Sequence, residues 1–346
     1  MSITISSKNW GTMAGKEICL LKLQNANGAY VELTNYGARI VSVVVPDKNG
    51  KLEHVVLGFN EPEAYLNDQC YLGATIGRFA NRIAGAAFTL NGEGYKLEAN
   101  DGPNSNHSGP AGCDTKVFDF AVQSDSILFS LELLNGEGGF PGNMKLNITY
   151  RWTADQQLQI NYSAVSDADT IANFTNHAYF NLSGERENIL EHRLSLDAAK
   201  VLETNAQYIP TGRITDADKW LFSNSKIADK LLEANISGFN QYYISNKPAL
   251  ATPAAVLDHY ESGRRLSVYT TYPGLMFYTG DYLTGTYPGK ASKPYRAFDG
   301  LCLECQFYPD APNHPTFPTT VLKQGTRYNQ QIIYQFSTLN NARHNL

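Results

Sequence analysis

Short runs of alternating apolar and polar residues, broken by Gly, Asn, Asp and Pro, recur along the whole chain of 346 residues. Alternation with period two is typical of β-strands that bury one face. Segment 29–51 predicts two strands, with a break at Gly37 and a "DKNG" turn after the second. Segment 86–101 predicts a hairpin that turns at Asn91-Gly92. The pattern therefore favours a fold built mainly of antiparallel strands.

Helix signals are few, and the strongest is the segment "SKIADKLLEA" at 225–234. Ser225 could cap this helix, and its apolar face would comprise Ile227, Leu231 and Leu232. Strand signals continue from end to end without a linker, a repeat or a shift in composition. We therefore predict an all-β fold with a few short helices, a large antiparallel β-sandwich that forms a single domain over residues 1–346. Two sandwiches in tandem are the alternative.

The charge composition excludes several classes of partner. Charged residues make up 18% of the chain and the formal net charge is −5, which gives no electrostatic footprint for nucleic acid or an anionic membrane. No stretch approaches the length of a membrane span, and the N-terminus lacks a signal-peptide pattern. The five scattered cysteines fit a reducing compartment rather than a disulfide framework. We expect a soluble cytoplasmic protein, either a monomer or a homodimer.

A glutamate interrupts the apolar run "LCLECQFYPD" at residues 301–310. Because side chains alternate along a strand, Cys302, Glu304 and Gln306 would lie on one face and Cys305 on the other. The two cysteines therefore cannot readily chelate one metal, and no second CxxC or HxxxH motif supplies further ligands. A solvent-exposed polar face is the ordinary explanation of Glu304. Its apolar neighbours and the Pro-rich segment that follows favour a functional acid instead.

Two of the seven histidines, His107 and His177, occupy unusual settings. His107 lies in "GPNSNHSGPAG", whose Asn, Ser and Gly residues predict a loop rich in hydrogen-bonding groups. His177 lies in the aromatic segment "NFTNHAYFNLSG", where alternation would place it on one strand face with Thr175 and Tyr179. A hydrogen-bonded structural role is the ordinary expectation for such a histidine, and catalysis is the alternative.

The segment "GRFANRIAG" at 77–85 holds Arg78, Asn81 and Arg82 among small residues. An arginine in this setting often forms a structural ion pair. Its planar fork of donors also suits a ligand rich in oxygen atoms. The residues alone leave both roles open.

Together these segments resemble the aldose 1-epimerase family, also called the galactose mutarotases. The resemblance rests on six stretches in the family's order: "GATIGRFANRIAGAAFTLNGEGYKLEANDGPNSNH", "NGEGGFPGN", "TNHAYFNLSG", "YIPTGRI", "YTTYPGLMFYTG" and "LCLECQFYPDAPNHPTFPTTVLKQGTRY". It implies a large β-sandwich with an open sugar cleft on one sheet. It also implies interconversion of the α and β anomers of free aldohexoses, without a metal or cofactor.

Carried onto this chain, the resemblance makes His177 the general acid and Glu304 the general base. It makes Asn81, Arg82 and His107 contacts to the sugar hydroxyls or the ring oxygen. A carboxylate removes the proton of the C1 hydroxyl while an imidazolium protonates the ring oxygen, so that the aldehyde turns about C1–C2 and recloses. This chemistry predicts that Glu304 stays ionised despite its apolar neighbours, because nearby donors offset its desolvation.

The chain departs from the family pattern at two substrate-binding positions. Asn240, in "SGFNQYY", stands where the family usually has Asp, and Met276 stands where it often has Gln. An amide cannot accept two charge-assisted bonds from sugar hydroxyls, and a thioether removes a polar contact. We predict a weakened or altered use of galactose, with tolerated drift as the alternative.

Two functions of other kinds remain open. A catalytically silent carbohydrate-binding protein would keep Arg82 but lose His177 or Glu304, and both are present. An epimerase for phosphorylated hexoses would need extra basic residues to hold the phosphate. Arg78 and Arg82 are the only basic pair in the matching core motifs, which favours a free sugar.

Overall fold

A computed structural model describes residues 3–13, 15–246 and 249–339, and within these ranges the chain forms 28 strands and two α-helices. In chain order the strands are β1 (Thr4–Met13), β2 (Lys16–Gln24), β3 (Tyr30–Thr34), β4 (Arg39–Pro46), β5 (Leu52–His54), β6 (Thr75–Ile76), β7 (Arg82–Ile83), β8 (Ala87–Leu90), β9 (Glu93–Lys96), β10 (Ser105–Asn106), β11 (Asp119–Val122), β12 (Ser126–Leu133), β13 (Met144–Trp152), β14 (Gln157–Ser166), β15 (Thr170–Ile171), β16 (Thr175–Asn176), β17 (Tyr179–Phe180), β18 (Arg193–Leu196), β19 (Lys200–Thr204), β20 (Pro210–Asp216), β21 (Ser225–Lys226), β22 (Asn240–Ile244), β23 (Ala255–His259), β24 (Arg264–Thr270), β25 (Gly274–Tyr278), β26 (Leu301–Gln306), β27 (Val321–Leu322) and β28 (Arg327–Thr338). The helices are α1 (Pro62–Leu66) and α2 (Ile227–Ala234). Neither of these described helices is long and apolar enough to cross a membrane.

Three large antiparallel sheets contain most of the strands. The nine-stranded sheet has the order β11-β12-β13-β14-β28-β24-β23-β18-β21, and the six-stranded sheet has the order β17-β26-β25-β22-β19-β20. The five-stranded sheet runs in chain order from β1 to β5. Two-stranded ladders join the remaining strands, among them β7 with β10 and β6 with β16. The all-β prediction with a few short helices is confirmed.

The alternating sequence decides which face of each strand is buried. In β13 the buried side chains are Met144, Leu146, Ile148, Tyr150 and Trp152, and exposed Lys145, Asn147 and Arg151 separate them. One hydrophobic core takes side chains from all three large sheets, such as Leu21, Ile148 and Leu303. The six-stranded sheet therefore packs one face on this core. Its opposite face carries two smaller apolar clusters, one with Cys302 and one with Met276.

Two predicted turns are confirmed in detail. Strands β3 and β4 are separated by a break that contains Gly37, which has a φ of 69°. Strands β8 and β9 form the predicted hairpin, and its turn residues Asn91 and Gly92 have φ angles of 53° and 85°. A type I′ turn requires positive φ at both central residues, which explains the Asn-Gly pair.

Helix α2 confirms the predicted helix, but two details of the prediction are wrong. Ser225 belongs to β21, and the residue at the N-cap is Lys226, which makes no side-chain capping bond. Ile227 is buried and Leu231 packs against the core, whereas Leu232 is 81% exposed. Adjacent residues of a helix do not share a face, so only one of the two leucines can contact the core.

Candidate active site

A cavity of about 240 Å³ opens on the face of the six-stranded sheet that lies opposite the core. Six of the seven predicted site residues line it: Asn81, Arg82, His107, His177, Asn240 and Glu304. They come from the β7–β10 ladder and the residues that flank it, the junction of β16 and β17, and strands β22 and β26. Folding thus brings together residues that are up to 223 positions apart in the sequence, from Asn81 to Glu304.

Strand β26 holds Glu304 among residues that are all buried. Leu303 and Cys305 point into the core, while Cys302 belongs to a cluster on the other face of the strand. The predicted alternation, with the two cysteines on opposite faces, is confirmed. Glu304 is only 2% exposed, so a solvent-exposed polar face does not explain it.

His177 lies at the junction of two short strands rather than inside one continuous strand. Its backbone N–H donates to the carbonyl of Ala74, and its own carbonyl accepts from the N–H of Gly73. Its Nε2 lies 3.7 Å from Oε1 of Glu304. Tyr179 lines the same cavity as predicted, with its ring 5.1 Å from the imidazole, whereas Thr175 does not line it.

His107 is held by two reciprocal hydrogen bonds to Asn81. The N–H of Asn81 donates to Nδ1 of His107 at 3.1 Å, and the N–H of His107 donates to the carbonyl of Asn81 at 3.2 Å. Burial above all, and then the neighbouring His177 and Arg82, keeps the pKa of His107 well below its ordinary value. The ring is therefore neutral, and because Nδ1 accepts, its proton sits on Nε2. His107 is fixed as a hydrogen-bond donor.

The two arginines of the "GRFANRIAG" segment have different roles. Arg78 is buried and donates to the backbone carbonyls of Leu133, Pro141 and Gly142. Its role is therefore structural, since these bonds hold the Gly-rich segment in place. Arg82 lines the cavity and donates from Nε to Asp101 at 2.6 Å. A guanidinium with one edge fixed in this way presents a pre-oriented fork to a ligand.

Burial shifts the pKa values of Glu304 and His177 toward the neutral forms. It raises the pKa of Glu304 to about 8, and the charge of Arg82 offsets this only in part. Oε2 of Glu304 has no hydrogen-bond partner among the described residues. The expectation that nearby donors keep Glu304 ionised is therefore wrong for this site at neutral pH. Burial lowers the pKa of His177 to about 4, so its imidazole is also neutral.

His107, His177 and Glu304 each place one donor atom within 4.8 Å of the others, a set that could in principle hold a metal. A metal ligand must offer an unprotonated nitrogen. The bond from Asn81 to Nδ1 leaves the proton of His107 on Nε2. The trio thus suits hydrogen bonding to oxygen atoms better than it suits a metal ion.

Met276 does not line the cavity, in contrast to its prediction as a substrate-binding residue. It is 3% exposed and packs with Tyr242 and Tyr308. In the sheet register it lies directly opposite Glu304, because β25 pairs with β26. Side chains of such a cross-strand pair share one face, about 4.5–5.5 Å apart at Cβ. Met276 therefore adds to the apolar surroundings of Glu304.

Several lining residues were not predicted from the sequence: Gln69, Cys70, Tyr71, Asn106, Tyr278 and Tyr282. Tyr71 contacts both histidines, with ring distances of 4.8 Å to His107 and 5.7 Å to His177. It lies in a loop without a local signal. Tyr278 could have been found, since alternation along β25 places it on the face of Met276.

Comparison with known proteins identifies the wider group. The sequence profile of the family described as aldose 1-epimerase matches residues 20–335. Galactose mutarotase of Bos taurus is 40% identical over 311 residues, which cover 89% of this chain and 91% of that protein. Aldose 1-epimerase of Escherichia coli is 35% identical over 333 residues, 93% of this chain and 96% of that protein.

Solved structures agree with this result. A GalM/aldose epimerase homologue from C. elegans superposes with a TM-score of 0.87 at 30% identity, covering 93% of this chain and 99% of that chain. Galactose 1-epimerase from Lactobacillus acidophilus gives a TM-score of 0.86 at 27% identity, covering 97% and 99%. With the matched profile and the cavity of predicted residues, these similarities show that the chain belongs to the aldose 1-epimerase family.

Proposed function

We propose that the protein is an aldose 1-epimerase that interconverts the α and β anomers of free aldohexoses such as glucose and galactose. The observation that carries the proposal is the pair formed by Glu304 and His177. An acid and a base, both buried and 3.7 Å apart, face one cavity and have pKa values shifted in opposite directions. Such a pair can exchange protons with two oxygen atoms of one ligand.

In this proposal Glu304 takes the proton of the C1 hydroxyl while His177 gives a proton to the ring oxygen. The ring opens to an aldehyde, which rotates about C1–C2. Ring closure then reverses the roles, as Glu304 returns a proton to O1 and His177 accepts the proton of the attacking hydroxyl. Each positioned acid or base contributes about 10²–10⁴-fold to the rate.

The pair needs only one mobile proton for both halves of the reaction. At neutral pH that proton sits on Glu304 and His177 is neutral, the distribution that ring closure requires. Ring opening requires the other distribution, with a carboxylate and an imidazolium. Transfer of the proton between Oε1 and Nε2 interconverts the two forms without a change of net charge. Hydroxyls of a bound sugar would donate to Glu304 and so favour the ionised form.

Three further residues would hold the sugar while C1 turns. Arg82, with Nε fixed by Asp101, would donate its remaining N–H groups to sugar oxygens. His107 would donate from Nε2, because Nδ1 is occupied by Asn81. Among the described residues that line the cavity, Arg82 is the single Lys or Arg. This argues for a free sugar, since a phosphate normally needs more positive charge.

The direct test is polarimetry of freshly dissolved α-D-glucose and α-D-galactose. We expect the protein to accelerate the approach to the equilibrium rotation for both sugars, and to have little effect on α-D-glucose 6-phosphate. Faster mutarotation of the phosphorylated sugar would favour an epimerase of sugar phosphates. Saturable sugar binding without acceleration would instead indicate a carbohydrate-binding protein.

Replacement of Asn240 with aspartate is expected to change the sugar preference. Asn240 lines the cavity, and a carboxylate there would accept charge-assisted bonds from hydroxyls that the amide binds more weakly. We expect Asn240→Asp to raise kcat/KM for galactose relative to glucose by on the order of tenfold, or about 1.4 kcal/mol. Polarimetry on glucose, galactose, xylose and arabinose measures the ratio.

Asn27→Asp makes the same chemical change at an exposed turn residue and serves as the control. Its sugar preference should equal that of the unmodified protein. An unchanged ratio of kcat/KM for galactose and glucose in Asn240→Asp would show that asparagine at position 240 is a tolerated substitution without effect on specificity.

A further inference from the structure

His177 contacts Glu304 through Nε2, and through its other ring nitrogen, Nδ1, it contacts the buried thiol of Cys302. Nδ1 of His177 lies 3.5 Å from Sγ of Cys302, and the two residues are 5% and 0% exposed. The contact arises because β17 pairs with β26, which sets Tyr179 opposite Cys302 and brings the preceding turn over the thiol. The proposed mechanism uses Nε2 of His177, so this second contact has no assigned role.

The thiol stays protonated in these surroundings. Burial, followed by the charge of Glu304, raises the pKa of Cys302 well above its ordinary value. A neutral thiol can either accept a ring N–H through its sulfur or donate its own S–H. The first arrangement places the histidine proton on Nδ1, and the second places it on Nε2. The two arrangements are not equivalent for catalysis.

The surroundings of the ring favour a proton on Nδ1. Nε2 lies 3.7 Å from Oε1 of Glu304, and burial keeps this carboxyl group protonated at neutral pH. A protonated carboxyl group donates, so it favours a lone pair on Nε2 and leaves the single ring proton for Nδ1. A proton on Nδ1 finds an acceptor in Sγ of Cys302. Nε2 then keeps its lone pair toward Glu304, which holds the proton to be transferred.

We propose that Cys302 is a positioning residue that keeps the ring proton of His177 on Nδ1, so that Nε2 is the nitrogen that exchanges protons with Glu304 and the sugar. The inference rests on the proposed function. It assigns different roles to the cysteines of "CLEC": Cys302 orients the acid, whereas Cys305 packs in the core on the opposite strand face. The hydrogen bond made by one ring nitrogen of a histidine sets which of the two nitrogens carries the proton.

Nitrogen NMR of the unmodified protein tests the tautomer directly. In protein labelled with ¹⁵N at histidine, the ring signals of His177 are assigned by their loss in His177→Asn. We expect a protonated Nδ1 and an unprotonated Nε2 at pH 7. A proton on Nε2 would overturn the proposal, whatever the activity of the variants.

Kinetics of a matched pair of variants tests the consequence. We expect Cys302→Ala to lower kcat about three- to tenfold, the value of one lost hydrogen bond, with little change in KM because Cys302 does not line the cavity. Cys302→Ser should recover part of kcat, since a hydroxyl also accepts an N–H. Cys305→Ala should keep kcat, because it removes a thiol from the same strand without contacting His177.

An unchanged kcat and unchanged His177 signals in Cys302→Ala would refute the role of Cys302. An equal fall of kcat in Cys305→Ala would show that the fall in Cys302→Ala comes from disturbed packing of the strand and not from a lost contact with His177. Failure of the unmodified protein to accelerate mutarotation would refute the proposed function instead, and the NMR signals would still report the tautomer. The two failures are therefore distinguishable.

Discussion

Mutarotation by the Glu304→Gln protein is expected to be slower than that of the unmodified protein by about 10²–10⁴-fold in kcat, the contribution of one general base. Glutamine keeps the size of the side chain but cannot take up the proton of the C1 hydroxyl. Polarimetry at saturating galactose measures the loss. Activity near that of the unmodified protein would remove Glu304 from the proposed mechanism.

The partner residue supplies a control on this result. His177→Asn should lose a similar factor, and the double variant should lose little more than either single variant, because acid and base act as a unit. Independent, multiplying losses would show that the two residues do not share one proton. Binding of galactose by the Glu304→Gln protein, followed by tyrosine fluorescence, separates loss of catalysis from loss of the site.

The Glu304→Gln protein should be more stable than the unmodified protein above about pH 5. The pKa of Glu304 is about 8 when folded, whereas the ordinary value is 4.5. Between these values the folded state keeps a proton that the unfolded state has released, so stability falls as the pH rises. Glutamine has no such proton, and its advantage in Tm should grow from pH 5 to pH 8 to a few degrees, on the order expected for this chain length.

An exposed glutamate provides the comparison for stability. Glu63→Gln on α1 changes the same chemical group at the surface, and its Tm should follow that of the unmodified protein at every pH. A Tm difference for Glu304→Gln that stays constant from pH 5 to pH 8 would contradict the raised pKa of Glu304.

Strand alternation was sufficient to predict the local geometry around Glu304. The period of two in "LCLECQ" placed Cys302 and Glu304 on one face and Cys305 on the other, and the structure agrees. The family resemblance then linked this strand with His177 and Arg82, far away in the sequence. Neither argument requires tertiary contacts. The side-chain period is a property of the strand itself, and the resemblance rests on sequence motifs.

The parts that the sequence could not predict depend on tertiary packing. The ionisation state of Glu304 follows from its burial and its lack of donors, which no local pattern encodes. The register of β25 and β26 places Met276 opposite Glu304, and its packing with Tyr242 and Tyr308 leaves it outside the cavity lining. Tyr71 reaches both histidines from a loop whose course is set by the whole fold.

The dependence of kcat/KM on pH is expected to be bell-shaped, with limbs near pH 4 and pH 8. Below about pH 4 His177 also takes a proton, so the pair contains an acid but no base. Above about pH 8 Glu304 loses its proton, so the pair contains a base but no acid. On either side the rate should fall about tenfold per pH unit, since kcat/KM follows the ionisation of the free enzyme. The limbs belong to the coupled pair rather than to either residue alone.

Substitution of Met276 should shift the basic limb of this pH profile and leave the acidic limb in place. Met276→Gln would place a hydrogen-bond donor opposite Glu304, which stabilises the carboxylate and lowers its pKa. The basic limb should then shift to lower pH, whereas Met276→Leu, of similar volume, should leave it in place. Equal basic limbs in the two variants would mean that Met276 does not control the ionisation of Glu304. A shift in Met276→Gln but not in Met276→Leu would indicate the effect of having methionine at position 276, where the family often has glutamine. The methionine would then change the pH range of the catalytic base rather than a contact with the sugar.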